Sequence, residues 1–181
     1  MINQTDKTYP FPRFFTMQIR IATADDLTQI VTIYNQAVLR GNCTADTETL
    51  EVNKRLDWFT EHSPDKYPIF VIQDKERGKI LGWYSLSAHR KGRKALAKVA
   101  EISYYVDSKQ QGKGIGNTLM RHALDTAAEC GLHNLFAILL DTNTASIALL
   151  KKYGFKQWGH LPDIAEFPDR ICGQFIFGRP V

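Results

Sequence analysis

Few cysteines, no long apolar run and no strong excess of charge mark this sequence, and each lack excludes a class of protein. Cys43, Cys130 and Cys172 are odd in number and none stands in a C-x-x-C pair. That argues against a disulfide framework and a zinc site, and favours free thiols in a reducing, cytoplasmic setting. His62, His89, His122, His133 and His160 are scattered, so neither a metal site nor a cysteine nucleophile activated by histidine is expected. No stretch approaches the roughly 18 apolar residues of a membrane span, and residues 1–16 lack the continuous apolar segment of a secretory leader. The net charge of +4 arises from 23 Lys and Arg interspersed with 19 Asp and Glu. No basic stripe results, so a nucleic-acid partner is not expected, whereas a small anionic ligand suits the surface. Gly-Lys-Ser and Gly-Lys-Thr are both absent, which excludes a P-loop.

What is present is the balance of a globular domain, 44% hydrophobic and 23% charged over 181 residues. Residues 1–16, polar and then rich in Pro and Phe, are expected to be a loosely ordered extension or a misassigned start, and residues 17–181 a single domain. Residues 19–21 alternate as a short strand. Thr23 with Asp26 three positions on resembles a capping box, Asp standing in for Glu. Leu27, Ile30, Val31, Tyr34 and Val38 follow helical spacing. A second helix is predicted over 49–61, with Leu56 and Phe59 on one side. The period then changes to strands at 69–72, 80–88 and 98–106, with a turn at 75–79 and a basic loop at 89–94. Connections this short imply an antiparallel meander. After it the chain reads βαβα: a helix over 113–130, a strand at 135–140, a helix over 145–153 and closing strands at 155–160 and 171–177. The fold class is a mixed α/β sheet in one domain.

The most informative stretch runs from Tyr104-Tyr105-Val106-Asp107 to Gln111-Gly112-Lys113-Gly114-Ile115-Gly116. Three glycines at alternate positions stand between a strand and a helix. Exposed amides at a helix start bind phosphate oxygens, and glycine lets the ligand approach without a Cβ in the way. Lys113, read as a cation in the first helical turn, opposes the macrodipole unless an anion is bound there. A dinucleotide fingerprint needs G-x-G-x-x-G, and the third glycine comes one residue early. Asp141, at the end of the next strand, could mimic the ribose-binding acid of that fold, but the antiparallel strands ahead of the motif oppose a doubly wound sheet.

The segment Gln111–Gly116 resembles the Q/R-x-x-G-x-G/A signature of the GNAT superfamily of N-acetyltransferases. Ile33-Tyr34-Asn35, Arg55-Leu56-Asp57-Trp58-Phe59, residues 100–106, Asn143 and Tyr153-Gly154-Phe155 are similar to its phosphinothricin acetyltransferase-like branch, so the likeness covers roughly residues 18–177. The resemblance implies an acyl-CoA N-acyltransferase fold, a homodimer, and acetyl-CoA as co-substrate with no metal. It implies that amides of Gly112, Lys113, Gly114, Ile115, Gly116 and Asn117, with Gln111 beside them, hold the pyrophosphate. Tyr104, Tyr105 and Val106 would pair with the pantetheine arm, a backbone amide there polarising the thioester carbonyl. Asn143 would contact the cofactor, cap the helix that follows, or do both.

Acetyl transfer to an amine needs a neutral nitrogen and a stabilised oxyanion. Glu101 is the candidate base: a carboxylate in an otherwise apolar strand is costly unless it faces a cleft, and it matches the glutamate the branch uses. A pairing with Lys98, or an edge-strand acid in water, is the alternative. Many family members place a tyrosine four residues before the Gly-Phe pair to reprotonate the thiolate; here that position is Leu150, and Tyr153 falls where the family places an apolar residue. Arg93-Lys94-Ala95-Leu96 lacks the tyrosine of the branch's Arg-x-Ala-Tyr segment, and residues 163–170 lack its C-terminal Trp. Arg90 and Arg93 could bind a substrate carboxylate; Arg55, Trp58 and Phe59 could shape the acceptor side or pack the second helix, packing being favoured for Phe59. The expected activity is N-acetylation of the primary amine of a small, amino-acid-like molecule. A non-catalytic acyl-CoA-binding module and, less favoured, a dinucleotide-binding protein are the alternatives.

Overall fold

The computed structural model describes residues 17–181; the expected extension at 1–16 lies outside the described residues. Met17–Ile21 forms the first strand, β1. Arg20 on it donates to both carboxylate oxygens of Asp26, at 2.6 and 2.8 Å, and to Gln73 Oε1. Asp26 Oδ2 also accepts the Thr23 N–H at 2.8 Å, so the expected capping contact forms, one turn of 3-10 helix ahead of α1 (Leu27–Arg40). Burial tends to raise the Asp26 pKa, but the hydrogen bonds from Arg20 and Thr23 outweigh it and hold the carboxyl below its usual range. Leu27, Ile30, Val31, Tyr34 and Val38 are all buried along α1, as their spacing demands.

The second helix is shorter than predicted. Residues 49–52 are not helical; a 3-10 turn at Asn53–Arg55 leads into α2, Leu56–Thr60. The cause is tertiary. Asn35 on α1 takes both backbone groups of Leu50, donating to its carbonyl and accepting its N–H at 2.9 Å each. Neither group is then free for a helical ladder. Leu56 is half exposed rather than packed, while Phe59 and Trp58 pack against the α1 cluster.

β2 (Ile69–Asp74), β3 (Ile80–Ala88) and β4 (Val99–Val106) make the antiparallel meander. Then follow α3 (Ile115–Glu129), β5 (Asn134–Leu140), α4 (Thr144–Lys152), β6 (Lys156–Phe167) and β7 (Arg170–Pro180). One seven-stranded sheet results, in the order β1-β2-β3-β4-β5-β7-β6, and β4–β5 is its parallel pair. A doubly wound dinucleotide fold is therefore absent. β6 runs seven residues beyond the predicted strand end, through a register shift between Leu161 and Ala165 that takes in Pro162 and Asp163. Asp163 takes a left-handed φ of 51° there.

Helices cover both faces of the meander. α3 and α4 bury Leu119, Met120, Ala123 and Leu150 against Ala100, Ile102 and Leu135. α1 and α2 cover the opposite face, with Ile30, Tyr34, Val71 and Trp83 at its centre. His122 on α3 turns inward: its Nδ1 lies 2.8 Å from the Tyr84 hydroxyl and its ring 4.6 Å from that of Phe70.

Gly82 sets how closely α3 approaches the sheet. A Cβ there would lie 2.8 Å from the Tyr105 carbonyl oxygen, 3.2 Å from Leu119 Cδ1 and 3.3 Å from Ile115 Cγ2. Gly82→Ala must push α3 or β4 aside, and we expect a loss of about 1–3 kcal/mol, typical of overpacking. A thermal melt checks this; an unchanged midpoint would mean that the contact gives way freely.

Candidate active site

β4 and β5 are paired only at Val99–Asn134, Ala100–Leu135 and Glu101–Phe136. Beyond that point they part, although β4 continues to Val106 on β3 and β5 to Leu140 on β7. The edges that face each other thus keep backbone amides and carbonyls without a strand partner, and such groups need one. A cleft of about 550 Å³ opens between them, floored by Ile102–Val106 and Ala137–Leu139 and continued by the loop before α3 and the first turns of α4.

That loop is built for anions. Asp107 is buried at its start, where it accepts the Lys109 N–H at 3.0 Å and an ion pair from Lys79 at 2.7 Å. Burial works against this carboxylate, yet Lys79 and Lys109 hold its pKa below the usual range. Gly112 and Gly114 take left-handed φ of 75° and 83°, and a Cβ on either would meet nothing within 4 Å, so their surfaces are open. Gly116 differs. It is helical, and its α-carbon faces Leu149 of α4, so it serves the packing of two helices. The first helical bond is Thr118 N–H to Gly114 O at 3.1 Å, and none of the N–H groups of residues 112–117 donates to a backbone carbonyl. These are the orphan donors of a helix start, placed where phosphate oxygens can take them.

Of the residues singled out from sequence, Tyr104, Tyr105, Val106, Gln111, Gly112, Gly114, Ile115, Gly116, Asn117 and Asn143 all line the cleft. Lys113 does not. It precedes α3 by two residues, because the left-handed glycines on either side delay the helix, and its Nζ donates to Gln110 Oε1 at 3.0 Å. Asn143 caps α4, accepting the Ser146 N–H at 3.2 Å, and borders the cleft as well. The Tyr153 hydroxyl donates to the Asn117 carbonyl at 2.9 Å, which ties α4 to α3 and leaves it outside the cleft lining. Asp141 accepts the Gly173 N–H and faces His160 at 3.5 Å, away from any ribose-like role.

Sequence reasoning missed Gln36, Arg40 and Cys43, which line the cleft from α1 and the segment after it. Arg40 Nη1 donates to Gln111 Oε1 at 2.9 Å, and Gln36 Oε1 accepts the Ser108 N–H at 2.7 Å. No motif marks them, since the contact spans some seventy residues of chain. Also unforeseen is the Tyr104 hydroxyl, buried and without a hydrogen-bond partner among the described residues. Such an orphan costs about 1–3 kcal/mol. Burial pushes its pKa up to about 12, against a weak hydrogen-bonding interaction with the Ser146 side chain that lowers it.

Side chains alternate along β4. Tyr104 belongs to the α3–α4 cluster and Tyr105 to the α1–α2 cluster, so Glu101 shares the α1–α2 face with Tyr105. Glu101 is half-buried in a central strand, next to Ser87 of β3, and does not line the cleft itself. It makes no ion pair among the described residues; the suggested partner, Lys98, contacts His133 instead, at 3.3 Å. Burial alone raises the Glu101 pKa. His62 Nε2 lies 3.1 Å from Ser87 Oγ, and burial lowers the His62 pKa. Further along the same face, Arg55 lies over the rings of Tyr34 and Trp58, at 4.7 and 5.0 Å, with no carboxylate within 4.0 Å among the described residues. Arg90 and Arg93 are exposed in their loop. No cluster of three metal-ligating side chains occurs among the described residues, and no helix there is long and apolar enough to cross a membrane.

Comparison with known proteins agrees with this geometry. The model of the acetyltransferase (GNAT) family matches residues 29–155. The chain is 37% identical over 163 residues to YwnH of Bacillus subtilis, provisionally assigned as a phosphinothricin acetyltransferase, covering 90% of this chain and 98% of that one. It is 35% identical over 150 residues to an L-methionine sulfoximine/L-methionine sulfone acetyltransferase of Pseudomonas aeruginosa, covering 82% and 85%. A GNAT superfamily phosphinothricin acetyltransferase from Sinorhizobium meliloti, solved in complex with acetyl-CoA, superposes with a TM-score of 0.85 at 29% identity, covering 92% and 89%. The chain thus belongs to the acetyltransferase (GNAT) family and is an acetyl-CoA-dependent N-acetyltransferase.

Proposed function

We propose that the protein acetylates the primary amine of an amino-acid-like small molecule by direct attack on acetyl-CoA, with Glu101 as general base. The observation that carries this reading is the two-sided β4: its parted edge lies in the cleft, and an unpaired, half-buried carboxylate stands on its other face. The amides of residues 112–117 hold the diphosphate. Backbone groups of Tyr104–Val106 align the pantetheine arm, and an amide among them polarises the thioester carbonyl. The acceptor enters from the α1–α2 face. Three residues of strand, roughly 10 Å, separate Glu101 from Tyr104, so a water relays the proton from amine to carboxylate. Burial makes Glu101 a stronger base than an exposed glutamate, and no charge partner neutralises it.

Arg55 gives the acceptor class. A guanidinium held flat by two aromatic rings and lacking a carboxylate is prepared to bind one, and the relatives named for methionine sulfoximine and phosphinothricin act on amino-acid-like compounds. The setting is cytoplasmic, consistent with the free thiols Cys43, Cys130 and Cys172. The protein is a homodimer. Ile138, Ile176 and Trp158, on β5, β7 and β6, share one face of the sheet, and Ile138 and Trp158 are exposed by 41% and 51%, which a second copy would bury.

Glu101→Gln should lower kcat/KM about 100-fold or more, the usual contribution of a general base. In the wild type, activity should fall with decreasing pH through a pKa above the ordinary glutamate value, because the protonated carboxyl accepts nothing; the variant should lose that limb. Full activity with the limb retained would remove Glu101 from the chemistry. Arg55→Ala should cost about 10-fold or more in kcat/KM for amino acids, the worth of a charge-assisted contact, and little for the matching amino-acid amides. Equal losses on both would deny carboxylate recognition. Sedimentation should give a dimer that Trp158→Asp dissociates; a wild-type monomer contradicts the assembly.

A further inference from the structure

Ser87 of β3 and Glu101 of β4 stand directly opposite each other in the antiparallel ladder. Their side chains therefore share the α1–α2 face, with Cβ atoms about 4.5–5.5 Å apart. A serine hydroxyl so close to a carboxylate ordinarily donates to it. Yet burial acts on the Glu101 carboxyl, and no hydrogen bond or charge does. His62, just past the end of α2, supplies the reason. Its Nδ1 lies 2.6 Å from the Trp58 carbonyl oxygen. A carbonyl only accepts, so Nδ1 carries the ring proton, and Nε2 of the neutral ring is an acceptor. Ser87 Oγ lies 3.1 Å from Nε2 and gives its single proton to the ring. What Ser87 keeps for Glu101 is lone pairs. We propose that His62 is a positioning residue for the Glu101 base: by claiming the Ser87 proton it denies the carboxylate a donor, and so preserves its basicity.

The arrangement requires a neutral His62. Burial favours the neutral ring most; the hydrogen bond to the Trp58 carbonyl and the charge of Glu61 work against it, and Arg55 and Lys91 work with it. Lys91 is itself 3.7 Å from Glu61. The balance lies below the usual histidine range, so above about pH 6.5 the ring is an acceptor at Nε2. A protonated ring would reverse the chain. Nε2–H would donate to Ser87 Oγ, and the freed Ser87 proton would turn to the carboxylate and weaken it as a base. The remaining titratable side chain on this side, His89, packs edge-on against Phe136, the β5 neighbour of Glu101, at 4.9 Å, and exerts no pull on the carboxyl. Trp58 holds the His62 ring twice, through its carbonyl and through an edge contact between the two rings at 4.8 Å.

The proposal rests on Glu101 as the base, and the test separates the two. Isotope-labelled glutamate carboxyls are titrated by NMR in wild type, His62→Phe, Ser87→Ala and the double variant, with the Glu101 signal assigned by its loss in Glu101→Gln. Phenylalanine keeps a ring against Trp58 and cannot accept the Ser87 proton. His62→Phe should lower the Glu101 midpoint by about one pH unit or more, the effect of a hydrogen bond gained by a charged group. Ser87→Ala should leave the midpoint in place or raise it, and adding His62→Phe to Ser87→Ala should not lower it. The acid limb of kcat/KM, read as thiol release from acetyl-CoA with L-methionine sulfoximine as acceptor, should move with the carboxyl. A midpoint that His62→Phe leaves in place, or lowers equally with and without the Ser87 hydroxyl, overturns the proposal. A shifted midpoint with an unmoved acid limb removes Glu101 from the chemistry, and the positioning role falls with it. Labelled histidine in the wild type checks the arrangement without any substitution: at neutral pH the uncharged Nδ1–H tautomer of His62 is expected, and the Nε2–H tautomer or a charged ring overturns the proposal.

Discussion

Beyond the Glu101–Phe136 pair, two neighbouring strands of one sheet run apart, each keeping a row of backbone amides and carbonyls that its neighbour would ordinarily satisfy. Neither strand is loose. β4 is fixed along its length by β3, and β5 by β7, so the gap is held open by full pairing on the outer sides. This constraint organises the rest of the molecule. It places an extended, amide-rich groove in the centre of the sheet rather than at an edge, and it sets the groove's far end against the amides of residues 112–117. It also exposes the β4 backbone to the cleft and the β4 side chains to both layers.

Alternation along β4 then divides the labour. Ile102, Tyr104 and Val106 turn to α3 and α4, where the cleft runs. Glu101 and Tyr105 turn to α1 and α2, with Ser87, His62 and the aromatic group around Arg55. A single strand therefore offers its unpaired edge to the cleft, a tyrosine to one layer and a half-buried carboxylate to the other. Polar residues on both faces of a central strand are costly in isolation.

Much of this was legible in the sequence where the signal is local. The bounds of β3 follow from its period, the α1 face from five apolar positions, and the turn between β4 and α3 from glycines at alternate sites. Asn143 reads as a cap because capping depends on the next three residues alone. What was not legible depends on contacts distant in sequence. The shortened α2 results from Asn35 seizing Leu50 across fifteen residues. The inward turn of His122 requires Tyr84 and Phe70 to be opposite it. The length of β6 depends on β7 accepting a bulge at Pro162 and Asp163. Lys113 reads as helical only if the conformations of Gly112 and Gly114 are ignored. The place of Arg40, and the isolation of the Tyr104 hydroxyl, emerge only when α1, β4 and α4 converge.

Hydrogen exchange of backbone amides with and without acetyl-CoA tests the central claim most directly, because it reads the unpaired groups themselves. Protection should rise in residues 102–106 and 112–117 and change little in β1, β2 and the outer part of β6. Protection confined to other segments, or none in either of these two, would contradict the assignment of the parted strands and the glycine loop to the cofactor.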